Sequence, residues 1–224
     1  MSEQTNFRPL AVILDMDGLI LETERPEIPL WAKAGKSLGL NVKEETCLRT
    51  IGKTGADIRK LVMEEYGENF PYDAFHVELH RLLNEEFESG IALRPGLIIL
   101  LDSLVAAKIP YAIATSSYRE NALWKLEKAG ILDRFPLLVG GDEVQNGKPA
   151  PDIFLKAANL LGVAPDKCIG FEDSAAGLKG LQTAGIRSVF VKDIVTPPEE
   201  VLNKVWRQYG DLAEAARDIF HVSL

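Results

Sequence analysis

Five short apolar runs, each broken off by a polar residue or a glycine, constrain this chain more than any other feature. They are LAVIL before Asp15, YAIA before Thr115, LLVG before Gly141, CIGF before Glu172 and SVFV before Lys192. Uninterrupted runs of this length suit strands buried on both faces, as in a parallel sheet covered by helices. Between them lie stretches of helical periodicity over 97–107, 119–129, 151–161 and 175–184. Three of these close at Gly130, Gly162 and Gly185, where a glycine is expected to end a helix. The alternation predicts an α/β fold, an open parallel sheet with right-handed crossovers.

One segment breaks the pattern. From about residue 23 to 90 the chain is polar-rich and helical, with helices expected over 31–40, 56–66 and 74–88 and no buried-strand run. It reads as an insertion after the first strand, with hinges near 22–26 and 89–95. The expected division is a core of residues 1–22 and 93–224 and a helical cap of residues 23–92. In open α/β sheets the ligand lies beyond the carboxyl ends of the strands. The residues there are Asp15, Asp17, 115–117, 141–148, Glu172 and Asp173, and an insertion rooted beside Asp17 hangs over them as a lid.

Composition narrows the function classes. The 224 residues allow one large domain or one domain with an insertion. With 46% hydrophobic and 26% charged residues, the chain is a folded, soluble protein by composition. Lys and Arg number 25 against 33 Asp and Glu, a formal charge of −8, which argues against non-specific nucleic-acid binding. A small phosphorylated ligand stays open, because one local cation outweighs a global charge. Cys47 and Cys168 form no CxxC pair, so neither a disulfide scaffold nor a cysteine-rich zinc module is expected. The opening MSEQTNFRPLAVILD does not read as a signal peptide, and no apolar stretch approaches the ~20 residues of a membrane span. A cytoplasmic, membrane-free monomer is the expectation.

Chemistry gathers at the strand ends. Asp15, Asp17, Glu172 and Asp173 would meet at one sheet edge, where four carboxylates cannot all stay ionised unaided. A divalent cation resolves this, and a hard oxygen cage with room for water and phosphate favours Mg²⁺. Asp-x-Asp-Gly alone is a weak motif, since acidic turns are common at strand ends. Ser117-Tyr-Arg-Glu120 fits a capping box opening the next helix, whose N-terminus is a ready anion site. There Thr115 offers a hydroxyl and Ser116 a backbone N–H. Lys148, in Gly147-Lys-Pro-Ala-Pro-Asp152, would be the one fixed cation among the acids, able to hold a carboxylate and a phosphate together.

Taken together, these residues resemble the haloacid dehalogenase superfamily. Asp15-Met-Asp17-Gly18, Thr115, Lys148 in GKPAPDIF and Glu172-Asp173 in GFEDSAAG stand in that family's order, across nearly the whole chain. The resemblance implies a Rossmann-like core with a small α-helical cap and a phosphoryl-transfer site. In it Asp15 is the nucleophile that forms an aspartyl-phosphate, and Asp17 is the acid that protonates the leaving oxygen and then activates water. Mg²⁺ would be held by Asp15, the backbone carbonyl of Asp17 and Asp173, with Glu172 a ligand or just behind. Thr115, the Ser116 amide and Lys148 would bind phosphoryl oxygens. As an acid near neutral pH, Asp17 is expected to have its pKa raised by the neighbouring carboxylates.

Asp17 separates this chain from dehalogenases and phosphonoacetaldehyde hydrolases, which lack that acid. The chain also resembles β-phosphoglucomutase, but that enzyme's cap histidine aligns with Glu27 and its cap arginine with Gly55. A phosphatase of sugar-phosphate or phosphoglycolate type is therefore expected, with a phosphomutase as the same-site alternative. A non-catalytic phospho-ligand binder is the alternative of another class. Lys53, Thr54, Arg49 and Glu27 are the cap residues expected to touch substrate, although Thr54-x-x-Asp57 also fits a helix cap. His76-Val-Glu-Leu-His80 puts two histidines on one helix face, read as solvated rather than zinc-binding. Trp31, Trp124 and Trp206 read as packing residues. Residues 211–224 read as a closing helix.

Overall fold

In a computed structural model, residues 7–51, 53 and 55–220 are described. The chain opens with β1 (Ala11–Leu14) and then runs through α1 (Glu24–Ser37), α2 (Glu44–Thr50), α3 (Gly55–Tyr66) and α4 (Tyr72–Phe87). It returns through α5 (Leu97–Ala107), β2 (Tyr111–Ala114), α6 (Arg119–Lys128) and β3 (Leu138–Val139). Then follow α7 (Asp152–Leu161), β4 (Cys168–Glu172), α8 (Ala175–Thr183), β5 (Arg187–Val191), α9 (Glu199–Leu202), β6 (Arg207–Tyr209) and α10 (Leu212–Phe220).

The six strands form one sheet in the order β3-β2-β1-β4-β5-β6, every pair parallel. Side chains of β1 alternate between two cores. Val12 and Leu14 pack with Leu100, Leu101, Leu126 and Leu212 on one face, and Ala11 and Ile13 with Phe154, Ala157 and Leu181 on the other. Burial on both faces is why the runs are continuous rather than alternating, and each such aliphatic side chain contributes roughly 1.5–3 kcal/mol. Gly130, Gly162 and Gly185 end their helices with φ between +68° and +73°. The chain builds outward from β1 to β3, then crosses back to start β4 on β1's other side. That reversal opens a crevice beyond the carboxyl ends of β1 and β4.

α1, α2, β6 and the short α9 depart from the sequence expectation. α1 begins at Glu24 rather than residue 31: Pro26 falls in its first turn, where a missing N–H costs nothing, and burial of Leu30, Trp31 and Ala34 carries the helix past Pro29. α2 went unforeseen because EETCLRT is polar; it buries Thr46, Cys47 and Thr50. β6, RQY, is a polar edge strand on β5, without the apolar run that marks a central strand.

Helices α1 to α4 enclose an apolar cluster of their own, including Trp31, Val62, Phe75, Leu79 and Leu82, with the Trp31 and Phe75 rings edge-on at 5.3 Å. Where this segment leaves and rejoins the sheet, its two connections pair. Glu22 N–H donates to the Ala92 carbonyl at 2.9 Å and Arg94 N–H to that of Ile20 at 3.0 Å. Charges reinforce the junction: Arg94 pairs with Glu22 at 2.8 Å and with buried Asp193 at 3.0 Å, and Arg25 pairs with Asp193 at 2.6 Å. Among the described residues no helix is long and apolar enough to cross a membrane.

Candidate active site

Strand pairing sets the floor of the site. Leu14 lies opposite Phe171, and Asp15, the next residue, donates its N–H to the Phe171 carbonyl at 3.1 Å. Glu172 ends β4 and Asp173 follows it, so the two acidic turns abut at the crevice. Lys148, from the loop before α7, reaches across them, its Nζ 2.5 Å from Asp15 Oδ1 and 2.6 Å from Glu172 Oε1.

Glu172 has no exposed surface. Its Oε2 accepts from the N–H of Asp173 (3.1 Å), the N–H of Ser174 (2.9 Å) and Ser174 Oγ (2.9 Å). Gly177, in the first turn of α8, lies so close that any side chain there would overlap the Glu172 carboxylate. With both oxygens engaged, Glu172 anchors the lysine. Burial pulls the Lys148 pKa down, but the charges and hydrogen bonds of Asp15 and Glu172 outweigh it and hold the ammonium charged. Asp15 is pushed up to about 7 by burial, against the pull of Lys148 and with the charge of Glu172 adding to the rise. Asp173 is raised well above the carboxylate range, by burial first and then by Glu172 and Asp15.

Crowded acids of this kind suit a divalent cation. One carboxylate oxygen from each of Asp15, Glu172 and Asp173 lies within 4.8 Å of the others, and Asp173 Oδ1 is buried with no hydrogen-bond partner. A Cβ on Gly18 would sit 2.6 Å from Asp173 Oδ2, so only glycine leaves that carboxylate its space. An all-oxygen donor set with an orphaned carboxylate oxygen fits a hard cation.

Asp17 departs from expectation twice. Its side chain is not part of that oxygen cluster: Oδ1 accepts from Lys125 Nζ at 2.6 Å and Thr23 Oγ1 at 2.9 Å, and Oδ2 from Ser117 Oγ at 2.8 Å. Nor is its pKa raised. Burial pushes it up, but the Lys125 charge and the three hydrogen bonds outweigh burial and hold the carboxyl below its usual range. Sequence reading missed Lys125, because it comes from the middle of α6 rather than from a strand end. The Ser117 capping box does not form either: with its hydroxyl on Asp17, the first turn of α6 is capped by Asp142 Oδ1, which accepts the Arg119 N–H at 2.7 Å.

Two cavities meet at Asp17 and Glu24. The smaller, about 170 Å³, is lined by Asp15, Lys148, Asp173, Thr115, Ser116 and Lys53 as well. Thr115 is buried, and its Oγ1 accepts the Ser117 N–H at 3.1 Å. The larger, about 620 Å³, lies between the inserted helices and α6, and Glu27 and Gly55 line it. Arg49 lines neither cavity and pairs with Glu65 at 2.6 Å within the insertion. Thr54 lies outside the described residues. His76 and His80 are exposed, as read, and they border the larger cavity; Trp124 packs against the main core, as read, and borders that cavity too. Their orientation was decided by how α4 and α6 face each other.

Residues 12–191 match the family of haloacid dehalogenase-like hydrolases. The phosphorylated carbohydrates phosphatase of Thermotoga maritima is 30% identical over 180 residues, covering 80% of this chain and 83% of that protein. Protein CbbY of Rhodobacter capsulatus is 35% identical over 224 residues, 92% of this chain and 95% of its own length. The crystal structure of CbbY from Rhodobacter sphaeroides in complex with phosphate superposes with a TM-score of 0.75 at 26% identity, covering 92% of this chain and 96% of that one.

Proposed function

The chain belongs to the haloacid dehalogenase-like hydrolases, and from that membership we propose that it is a Mg²⁺-dependent phosphatase of small phosphorylated metabolites working through an aspartyl-phosphate. The observation that carries this reading is Lys148 bridging Asp15 and Glu172 on the floor of a cavity of phosphate size.

In this reading Lys148, the Thr115 hydroxyl and the Ser116 amide bind the phosphoryl oxygens, and Asp15 attacks phosphorus. Asp17, ionised at rest, first takes up the proton that the phosphate monoester monoanion brings in; as the P–O bond to the alcohol breaks, it delivers that proton to the departing oxygen. Ionised again, Asp17 then takes a proton from a water that attacks the aspartyl-phosphate; the bond to Asp15 breaks, and inorganic phosphate leaves. Asp15, Asp173 and the backbone carbonyl of Asp17 would hold Mg²⁺, with Glu172 behind them; when bound, the ion offsets the charge of carboxylate and phosphate. The ionised resting state of Asp17 suits its role as the base of the second step.

Residues 23–92 are taken as the cap, and Thr23, bonded to Asp17, ties its root to the chemistry. Where a mutase would carry its histidine and arginine stand Glu27 and Gly55, which favours hydrolysis. Two free, buried cysteines suit a reducing, cytoplasmic setting. The test is phosphate release from sugar phosphates, phosphoglycolate and nucleoside monophosphates, with Mg²⁺ and with EDTA. Metal-dependent release is expected; none from any substrate, with the protein folded and Mg²⁺ present, would reject the reading.

A further inference from the structure

The larger cavity carries information that the phosphoryl site does not. At about 620 Å³ it falls among pockets that enclose whole small molecules, roughly 300–1,000 Å³, and exceeds what a two-carbon acid needs. Among the described residues its lining is rich in carboxyl groups and poor in cations. Asp17, Glu24, Glu27, Glu88 and Glu120 border it, against a single ammonium, Lys125.

That ammonium is already committed to Asp17 at 2.6 Å. Glu88 is neutralised from outside the lining by Lys128, and Glu27 accepts only the neutral indole N–H of Trp31, at 3.0 Å. Arg59, stacked over the Tyr72 ring, is spent on Asp73. The histidines do not compensate. The Nε2 atoms of His76 and His80 lie 3.0 Å apart, a contact that needs one acceptor and therefore at least one neutral ring. Burial lowers the pKa of both. Between the polar groups the walls are broad and apolar, with Tyr72, Phe75, Leu79 and Trp124.

We propose that this cavity selects the alcohol half of the ester: an uncharged, polyhydroxylated group larger than a triose with an apolar ring face, to the exclusion of substrates bearing a second phosphate or a carboxylate. The inference rests on the phosphatase reading of the adjoining site. Carboxylates accept hydroxyl protons readily, and aromatic faces cover the C–H face of a ring. A second anion would lie among carboxyl groups and meet no free cation among the described residues of this lining, since Lys125 is held by Asp17. Sugars and nucleosides share the selected chemistry.

Matched pairs test this. Fructose 1-phosphate is compared with fructose 1,6-bisphosphate, and glycerol 3-phosphate with 3-phosphoglycerate; ribose 5-phosphate and uridine 5′-monophosphate distinguish sugar from nucleoside. The neutral-alcohol member of each pair is expected to have the higher kcat/KM, by about tenfold or more, and Glu120→Lys to narrow that ratio by about threefold, chiefly through KM. Equal or reversed ratios in the wild type overturn the proposal, as does a ratio that Glu120→Lys leaves unmoved. Calorimetric binding of the same compounds to Asp15→Asn with Mg²⁺ is expected to rank them in the same order. Should the wild type turn over nothing, the phosphatase reading falls while this ranking still decides the cavity's preference. An anionic preference, or no binding at all, overturns it.

Discussion

Lys125 Nζ, two turns into α6, donates to Asp17 Oδ1 at 2.6 Å and to Ser117 Oγ at 3.3 Å. This relationship divides the acids of the site into two sets. Asp15, Glu172 and Asp173 share the Lys148 side and crowd one another, whereas Asp17 has a cation of its own and two hydroxyl donors.

Lys125→Ala therefore acts on Asp17. With the ammonium gone, its charge and hydrogen bond no longer oppose burial, and the Asp17 pKa rises. The base form then needs a higher pH, so kcat should fall by about 10- to 100-fold near pH 6 and recover as pH rises. Lys125→Arg should restore part of the loss. A pH–kcat profile identical to the wild type would remove Lys125 from this role.

Asp15→Asn should lower phosphate release by at least about 10³-fold while the protein still melts cooperatively. Mass spectrometry of wild type quenched in acid during turnover should find a phosphoryl group on the peptide containing Asp15. A phosphoryl group on another peptide would displace Asp15 as nucleophile.

Lys148→Met leaves Asp15 and Glu172 buried against each other without a counter-charge. Breaking a buried pair this way costs about 3–5 kcal/mol, which urea unfolding without metal would read. Adding Glu172→Gln to Lys148→Met should recover part of that loss, since it removes one of the stranded charges. Unchanged stability in the single variant would mean that the ion pair does not hold these loops together.

The acidic cluster also sets a pH dependence. Folding raises Asp15 from 3.8 to about 7, by burial and against the pull of Lys148, and Glu24 from 4.5 to about 9, by burial and the charge of Asp193. Across that window the folded state binds more protons than the unfolded one, so without metal the stability falls as pH rises from about 5 to about 9. A divalent cation held by Asp15 replaces the Asp15 proton, so the gain in Tm from Mg²⁺ should grow as pH rises through about 7. Thermal melts in EDTA and in Mg²⁺ at about pH 6 and about pH 8.5 test this; a gain that shrinks with pH would contradict it.

The sheet was legible because each strand carries its own signal. LAVIL and CIGF are continuous because both faces are buried, and each ends at the acid that the strand presents to the crevice. The helix-ending glycines are equally local, since a left-handed residue must follow directly on the last turn. β6 carried no such signal: its Arg207, Gln208 and Tyr209 are mostly exposed and become a strand only because β5 offers an unpaired edge.

The amino-acid sequence by itself determined the parallel sheet, the helical insertion after its first strand and the set of acids and lysine at the strand ends, because strand, turn and cap preferences act within a few residues. Only the tertiary structure decided which charges meet. Lys125 reaches Asp17 across 108 positions of chain, Asp142 rather than Ser117 caps α6, Arg49 is spent on Glu65, and His76 and His80 face a cavity. Each of these depends on the angle and register at which separate elements pack, and no spacing along one element encodes that.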